Sequence, residues 1–460
     1  MKSPEFNKLM VKNDSLLSDI LSKEKEKILA CVHCGLCLES CPTYLATGNE
    51  NDSPRGRIYL IRNVEEGRLQ PTSSAFESHI NRCLGCRACE QVCPAGVEFG
   101  NLLEGARAEI SSKKTERGLA YHLQSFLLRY IWLYPKRLRF LFSFSRIIRD
   151  IKLPSLLLKT GIPSRFFPRL AFAFALLDAS SPAPLNFTKN EDIAEEKETP
   201  AATEKKRSVM LFKGCVTEGL FSRINKATGR VLKANRRQTQ IPAKQTCCGA
   251  LHAHSGDLEG AKTLARRNIE AFAADDSPII TNAGGCGAML CNYGHLLAED
   301  AEYDARAKSF SARVRDISQE LPNEVIQANG CGNSDAVTYD SSCHLLYGQH
   351  AAGDSLQMLL SANVNYVPLN GSDVCCGGAG IYNLLEPELS SKILGEKLDN
   401  IKNSGAKVLA TGNPGCHMQI RAGMNLFENS DLKVCHPVEI LDESYRCAGR
   451  YDNDKAKVKS

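Results

Sequence analysis

Apolar positions along this 460-residue chain change their spacing from region to region. Residues 1–112 hold few β-branched runs and many helix formers, which predicts a mainly helical region. From about 207 onward, short apolar runs alternate with helical periodicity. Val209-Met210-Leu211-Phe212 ends at Gly214-Cys215, and a helical stretch follows to about Leu232. Ile279-Ile280 and Val408-Leu409 close two more short runs just before Gly-Cys turns, while 261–272 and 389–401 repeat with a helical period. Strand, Cys-bearing turn and helix in repetition predict α/β modules with parallel sheets. Their Cys would stand at the carboxyl ends of strands, where open sheets gather ligands.

The overall mixture, 43% hydrophobic and 24% charged, excludes a disordered, collagen-like or multi-span membrane chain. No run of 18 apolar residues is present, and Met1 to Leu17 lacks the apolar core of an export signal. The expected location is cytoplasmic. The unusual figure is 20 Cys, and in that compartment clustered thiols indicate metal or redox ligands before disulfides.

Eight of them form Cys31-x2-Cys34-x2-Cys37-x3-Cys41-Pro42 and its repeat Cys83-x2-Cys86-x2-Cys89-x3-Cys93-Pro94. Three thiolates at this spacing wrap one face of a [4Fe–4S] cube, and the Cys beside Pro serves the other cube. One cluster is therefore assigned to Cys31, Cys34, Cys37 and Cys93, and the second to Cys83, Cys86, Cys89 and Cys41. Zinc is the competing reading, but tetrahedral sites use Cys in pairs and leave the third Cys of each triad surplus. Two clusters held by crossed ligands make a relay for single electrons.

The other twelve Cys lie in a duplicated region. Cys215 precedes Cys247-Cys248-Gly249 by the same 31 intervening residues that separate Cys343 from Cys375-Cys376-Gly377. A Gly-Cys pair follows each glycine, with Cys286 and Cys416 lying 37 and 39 positions on. Agreement at three points identifies two copies of one module. Cys215, Cys247, Cys248 and Cys286 form one possible cluster site, and Cys343, Cys375, Cys376 and Cys416 another. Buried structural thiols and a catalytic dithiol remain alternatives. Cys291, Cys331, Cys435 and Cys447 fall outside the pattern and are expected to be ordinary thiols. His252, His254, His344, His417 and His436 sit near Cys motifs and could ligate, hydrogen-bond a sulfur or move a proton, although satisfied structural roles suit each one better.

These motifs resemble the iron–sulfur subunits of glycolate oxidase (glycolate dehydrogenase). The resemblance runs from about Cys31 to Glu439 and is weakest between about 112 and 207. It includes Cys31-Val32-His33-Cys34-Gly35-Leu36-Cys37, Pro54-Arg55-Gly56-Arg57-Ile58-Tyr59-Leu60 and Arg82-Cys83-Leu84-Gly85-Cys86-Arg87-Ala88-Cys89. Cys247-Cys248-Gly249-Ala250, Cys286-Gly287-Ala288, Tyr293-Gly294 and the stretch from Cys375 to Leu384 extend it. The resemblance implies a relay subunit that takes electrons from an FAD-containing dehydrogenase partner and passes them towards quinone. No flavin of its own is expected, since no Gly-x-Gly-x-x-Gly with a later acidic residue is present. The same order of motifs is similar to D-lactate and anaerobic glycerol-3-phosphate dehydrogenase subunits and to heterodisulfide reductases. A thiol/disulfide reductase is disfavoured, because Cys286 and Cys416 are not followed by the fifth Cys of that group's modules. A cluster-based sensor would need a DNA-binding or signalling element, and none is legible. No catalytic residue is assigned.

Charge adds one feature. Residues 113–180 carry 13 Lys/Arg against three acids and 12 of the 31 aromatic residues, with no Cys. Within 118–176, proline at 135, 154, 163 and 168 divides apolar, basic-flanked stretches into short helices. Two readings are open: peripheral contact with the cytoplasmic face of the inner membrane, or helices packed on the Cys-rich domains. Nucleic acid is not expected. The predicted organisation is a helical two-cluster ferredoxin-like domain at 1–112, the basic aromatic segment at 113–180 and a flexible linker at 181–206. Cys-Cys-Gly modules at 207–330 and 331–447 and a polar tail at 448–460 complete it.

Overall fold

Serine followed by proline starts the first long helix, because proline sets the helical φ and serine satisfies an orphan N–H. Ser53 Oγ accepts from Gly56 N–H at 3.0 Å, opening α1 (Pro54–Glu65). α2 (Ser74–Asn81) begins likewise at Ser73, and α3 (Phe99–Lys113) follows. In this computed structural model, residues 20–113, 118–189, 207–321, 331–428 and 430–451 are described. They form two compact units, divided at Tyr130/Ile131, with Gly249–Lys262 belonging to the first.

The first unit is helical, as expected. Its core gathers Ile58, Ile61 and Val64 from α1, Phe76 and Ile80 from α2, and Phe99, Leu102, Leu103 and Ala106 from α3. Cys83 and Cys89 are buried in the same cluster, so the helices present the Cys turns on a rigid base.

The second unit opens with α4 (Pro135–Asp150), α5 (Leu153–Lys159), α6 (Ile162–Phe166) and α7 (Pro168–Ala179), each with proline in its first turn. Two sheets follow. The first has the order β3-β2-β4-β5, built from β2 (Arg207–Leu211), β3 (Arg237–Gln240), β4 (Ile279–Thr281) and β5 (Val314–Asp316), all parallel. The second repeats this plan: β7 (Val364–Tyr366) and β8 (Val408–Thr411) flank β6 (Cys331–Asp340), and β9 (Lys433–Cys435) adds beyond β8. The duplicated Cys spacing thus has a duplicated topology beneath it. Helices α8 (Cys215–Leu220), α9 (Ser222–Ala234), α10 (Leu258–Ala271) and α11 (Gly284–Cys291) belong to the first copy. α12 (Pro387–Ser404), α13 (Pro414–Phe427) and α14 (Pro437–Cys447) belong to the second. Val209, Leu211 and Ile280 share one apolar core with Val337, Val408, Val438 and Leu441, so the two sheets fold against each other.

Two expectations change. The stretch read as a linker contributes β1 (Phe187–Lys189), which pairs antiparallel with 331–333 of β6; residues 190–206 lie outside the described residues. Its alternation of Phe187 against neighbouring polar residues lets one apolar side chain join the shared core. Cys331 and Cys447, read as ordinary thiols, are joined in a disulfide that links the start of β6 to the end of α14. Their Cα atoms are 6.1 Å apart, a separation set by packing 116 positions along the chain and invisible in local spacing. Of the polar tail, 452–460 lie outside the described residues.

A buried ion pair underlies the second copy. Lys397 on α12 is fully buried and donates to Asp340 Oδ1 at 2.8 Å, with Gly371 O and Ser372 O at 2.8 and 3.0 Å. Thr411 donates to the other carboxylate oxygen at 2.8 Å. Lys397→Met leaves Asp340 charged and unpaired, so the denaturant midpoint should fall by the equivalent of about 3–5 kcal/mol. Adding Asp340→Asn should recover most of that loss. Asp316, at the end of β5, caps the next turn through Ser318 N–H at 3.0 Å, and its Oδ2 has no hydrogen-bond partner. Burial pushes its carboxyl up to about 6. The stability this group allows is full below pH ~4 and lost as pH rises through about 6. Asp316→Asn should therefore stabilise by about 1–3 kcal/mol at pH 8 and by less as pH falls, read from melts at pH 8 and pH 5.

Candidate metal centres

Backbone turns between the first unit's helices aim eight thiols into two hollows. Cys31, Cys34, Cys37 and Cys93 line the first, with Cys89 also on its wall. Cys41, Cys83, Cys86 and Cys89 line the second. Cys93 thus joins the N-terminal triad and Cys41 the later one, the crossed grouping drawn from spacing. The walls are apolar: Ile58, Val97 and Phe99 at the first, Leu84 and Phe99 at the second. Among the described residues no three His, Cys, Asp or Glu side chains close on one point as a single zinc ion requires. Rings of sulfur around apolar hollows suit a larger, sulfur-rich group, so the donor set fits iron–sulfur cubes. The two hollows differ in access. Cys34 is exposed and Cys31, Cys37 and Cys93 are half-buried, whereas Cys41, Cys83, Cys86 and Cys89 are all buried.

Pro54-Arg55-Gly56-Arg57 serves both hollows from one helix N-terminus. Arg55 lines the first and Arg57 the second. Arg55 donates to Glu50 Oε1 at 2.6 Å and reaches His33 O at 3.4 Å. Arg57 is fully buried, donating to His79 O at 2.7 Å, to Thr43 Oγ1 at 3.0 Å and to the Asp52 carbonyl, with Cys41 Sγ at 4.0 Å. Asp52 answers its charge at 3.5 Å and also bonds His79 Nδ1 at 2.8 Å. Gly56 is required here because a Cβ would fall 2.0 Å from Glu50 O.

In the second unit each module brings its four thiols into one chain. Cys215 Sγ lies 3.4 Å from Cys247 Sγ, and Cys248 bonds both Cys247 and Cys286. In the second copy Cys343 bonds Cys375, Cys375 bonds Cys376, and Cys376 Sγ lies 3.3 Å from Cys416 Sγ. The order of contacts is the same in both. Hydrogen bonds from Cys375 and then His344 pull the Cys343 thiol down, against the upward push of burial. Cys286 and Cys416 each occupy the first turn of a helix, α11 and α13.

What surrounds the thiols differs between copies. Asn268 of α10 donates to Cys247 O at 2.9 Å and to Tyr293 OH at 3.0 Å, and Tyr293 donates to Cys248 O at 2.8 Å. The matching position on α12 is Lys397, judged by the buried rows Leu264, Ala265, Ile269, Phe272 and Ile393, Leu394, Leu398, Ile401. Asn413 donates to Cys416 Sγ at 3.4 Å. Neither Asn268, Lys397 nor Asn413 was singled out from sequence; aligning the two copies residue by residue would have exposed the Asn/Lys exchange.

The histidines divide. His436 Nδ1 accepts from Val438 N–H at 3.0 Å and caps α14, and burial takes its pKa down to about 3. His252 is held by Asp257 at 2.9 Å, and His254 by Glu104 at 3.2 Å. His417 is buried edge-on to Phe221 at 4.8 Å, and burial keeps it neutral. His344 alone among them contacts a thiol, that of Cys343. Cys291 is half-buried and Cys435 buried, and neither is in a disulfide.

The sequence profile of a 4Fe-4S dicluster domain matches residues 27–97, and that of a cysteine-rich domain matches residues 209–291 and 337–421. A probable glycolate oxidase iron-sulfur subunit of Bacillus subtilis is 36% identical over 92% of this chain and 95% of its own length. The glycolate oxidase iron-sulfur subunit of Escherichia coli is 30% identical over 92% and 95%. Lactate utilization protein A of an Exiguobacterium species is 31% identical over 52% of this chain and 99% of its own length. With one dicluster region ahead of two cysteine-rich modules, and with similarity across nearly all of both full-length relatives, this iron–sulfur chain belongs to the family of glycolate oxidase iron–sulfur subunits.

Proposed function

We propose that the chain is the electron-relay subunit of a flavin-dependent glycolate oxidase, receiving electrons from an FAD-bearing partner subunit and passing them singly towards quinone. The observation that carries this reading is the pair of four-Cys hollows, one open at Cys34 and one buried, in a chain of this family. Glycolate would lose two electrons and two protons at the partner's flavin and leave as glyoxylate, and quinone would take up both. Cys31, Cys34, Cys37 and Cys93 would hold one [4Fe–4S] cluster and Cys41, Cys83, Cys86 and Cys89 the other, each supplying reversible one-electron storage when bound.

The chain's own residues do the remaining work. Apolar walls from Ile58, Val97 and Phe99 lower the polarity behind the sulfurs of the first hollow. Arg57 ties the Cys41 turn to the backbone at His79 and Asp52, and its guanidinium beside the buried thiols favours added negative charge. The half-open first hollow is the suited point of exchange with a partner, since Cys34 is the exposed thiol of the eight. Cys215, Cys247, Cys248 and Cys286, with Cys343, Cys375, Cys376 and Cys416, are proposed to hold further clusters. The chain would work on the cytoplasmic face of the inner membrane, where quinone is reached. D-Lactate in place of glycolate is the second reading, favoured by the similarity to lactate utilization protein A.

Two measurements test this. In the anoxically purified complex, glycolate should reduce the clusters, as followed by electron paramagnetic resonance, while D-lactate should not. A response to lactate alone moves the assignment to the second reading, and silence to both, with flavin intact, moves it to glycerol 3-phosphate or to thiol/disulfide chemistry. Iron analysis should give more than about eight irons per chain, the content of two cubes. A value of eight would show the cysteine-rich modules to be metal-free.

A further inference from the structure

Helix α4 is apolar on two opposite sides. Its inner face carries Leu138, Phe142 and Arg149, all buried. Phe142 packs on Gly219 of α8 so closely that a Cβ there would come within 2.4 Å of the ring. Arg149 donates to Ser180 Oγ at 3.1 Å and to Leu220 O at 2.9 Å, fastening the same face. Phe140, Phe144, Ile147 and the C-cap Ile151 are 77%, 55%, 60% and 65% exposed. At about 100° per residue their spacing forms one stripe, on the side away from the buried face. A surface helix needs one apolar face, and this one has a second.

The stripe is part of a patch. Eleven of the 24 exposed large apolar side chains among the described residues lie between Tyr134 and Leu170, which separates them from the single exposed residues any surface shows. α5 packs on α4 and α6 on α5, and both carry exposed apolar residues of their own, Leu153 and Leu156 on α5 and Ile162 and Phe166 on α6. The surrounding charge is one-sided: residues 131–180 hold nine Lys/Arg and two Asp, of which Asp150 is paired with Arg149 at 2.8 Å. Lys136 and Arg137 fall to either side of the stripe. A second copy of the chain would set like charges face to face. An anionic bilayer offers both an acyl boundary for the stripe and phosphates for its rim.

We propose that the outward face of α4, continued by α5 and α6, docks the chain on an anionic lipid surface, with the helix lying in the headgroup layer. The sequence left open whether these helices pack on the protein or meet a membrane; α4 does the first with one side and is built for the second with the other. The proposal rests on the relay reading for its purpose, not for its geometry. α8, which packs under Phe142, begins at Cys215. The first module's thiol chain would then sit about one helix diameter, ~10 Å, behind the lipid surface.

The test is co-sedimentation of the anoxically purified full chain with vesicles of phosphatidylcholine alone and of phosphatidylcholine containing a quarter phosphatidylglycerol. Binding should favour the anionic vesicles by about tenfold or more and weaken as salt is raised. Phe140→Asp with Phe144→Asp should abolish binding, and Lys136→Glu with Arg137→Glu should weaken it about tenfold, with cluster absorbance and monodispersity kept. Equal binding to both vesicle types, or variants that bind as the parent does, would overturn the proposal. Variants that keep lipid binding but lose the flavoprotein partner, or concentration-dependent dimers of the parent that the Phe pair abolishes, would reassign the face to protein. Failure of glycolate to reduce the clusters in the parent complex would count against the glycolate reading alone, not against lipid docking.

Discussion

Arg57 is a guanidinium with no access to water, and the first unit is arranged around answering it. A buried charge without partners costs far more than a domain's whole margin of stability, so its five donors constrain everything within reach. Asp52 supplies the counter-charge, while Thr43 and the backbone at His79 and Asp52 supply acceptors. These groups come from the turn after Cys41 and the helix before Cys83, which are forty positions apart in the chain. Holding them together is what brings Cys41 to the later triad. The crossed grouping of the Cys around the two hollows is therefore a consequence of one ion pair as much as of the motifs themselves.

The second unit solves a related problem differently. Each module presents four thiols on the loops that leave parallel strands, with the sulfurs touching in the same order. One copy steadies its Cys-Cys turn with the neutral pair Asn268 and Tyr293, while at the matching helix position the other holds the buried ion pair Lys397–Asp340, tied to the backbone at Gly371 and Ser372. A neutral amide and an ammonium give the two sulfur groups unlike electrostatic surroundings. Duplication supplied the scaffold, and the exchange at one helix position distinguished the halves.

Much of this was legible in the sequence because metal-binding thiols must be spaced by covalent geometry. The crossed grouping, the duplication and the parallel strands ending in Cys turns all follow from short intervals. What was not legible joins residues by packing alone. Lys397 stands in the apolar row of its helix, but that it answers Asp340 at the end of a distant strand depends on packing. The pairing of Cys331 with Cys447 and the docking of β1 on β6 depend on where the second sheet sits, which local pattern does not encode. The basic segment was ambiguous for another reason: residue types alone do not tell a buried apolar face from an exposed one, and α4 has both.

The apolar core shared by the two sheets bears on how this chain fails. Independent modules could lose one active half and keep the other. Here Val209 and Ile280 of one copy are buried against the same cluster as Val408 and Leu441 of the other, so the halves share one cooperative fate. Damage that opens either module exposes the interior of both, and a partly working subunit has little chance to persist in the cell. Sharing a core thus acts as quality control, because a broken module presents itself to proteases as an unfolded chain.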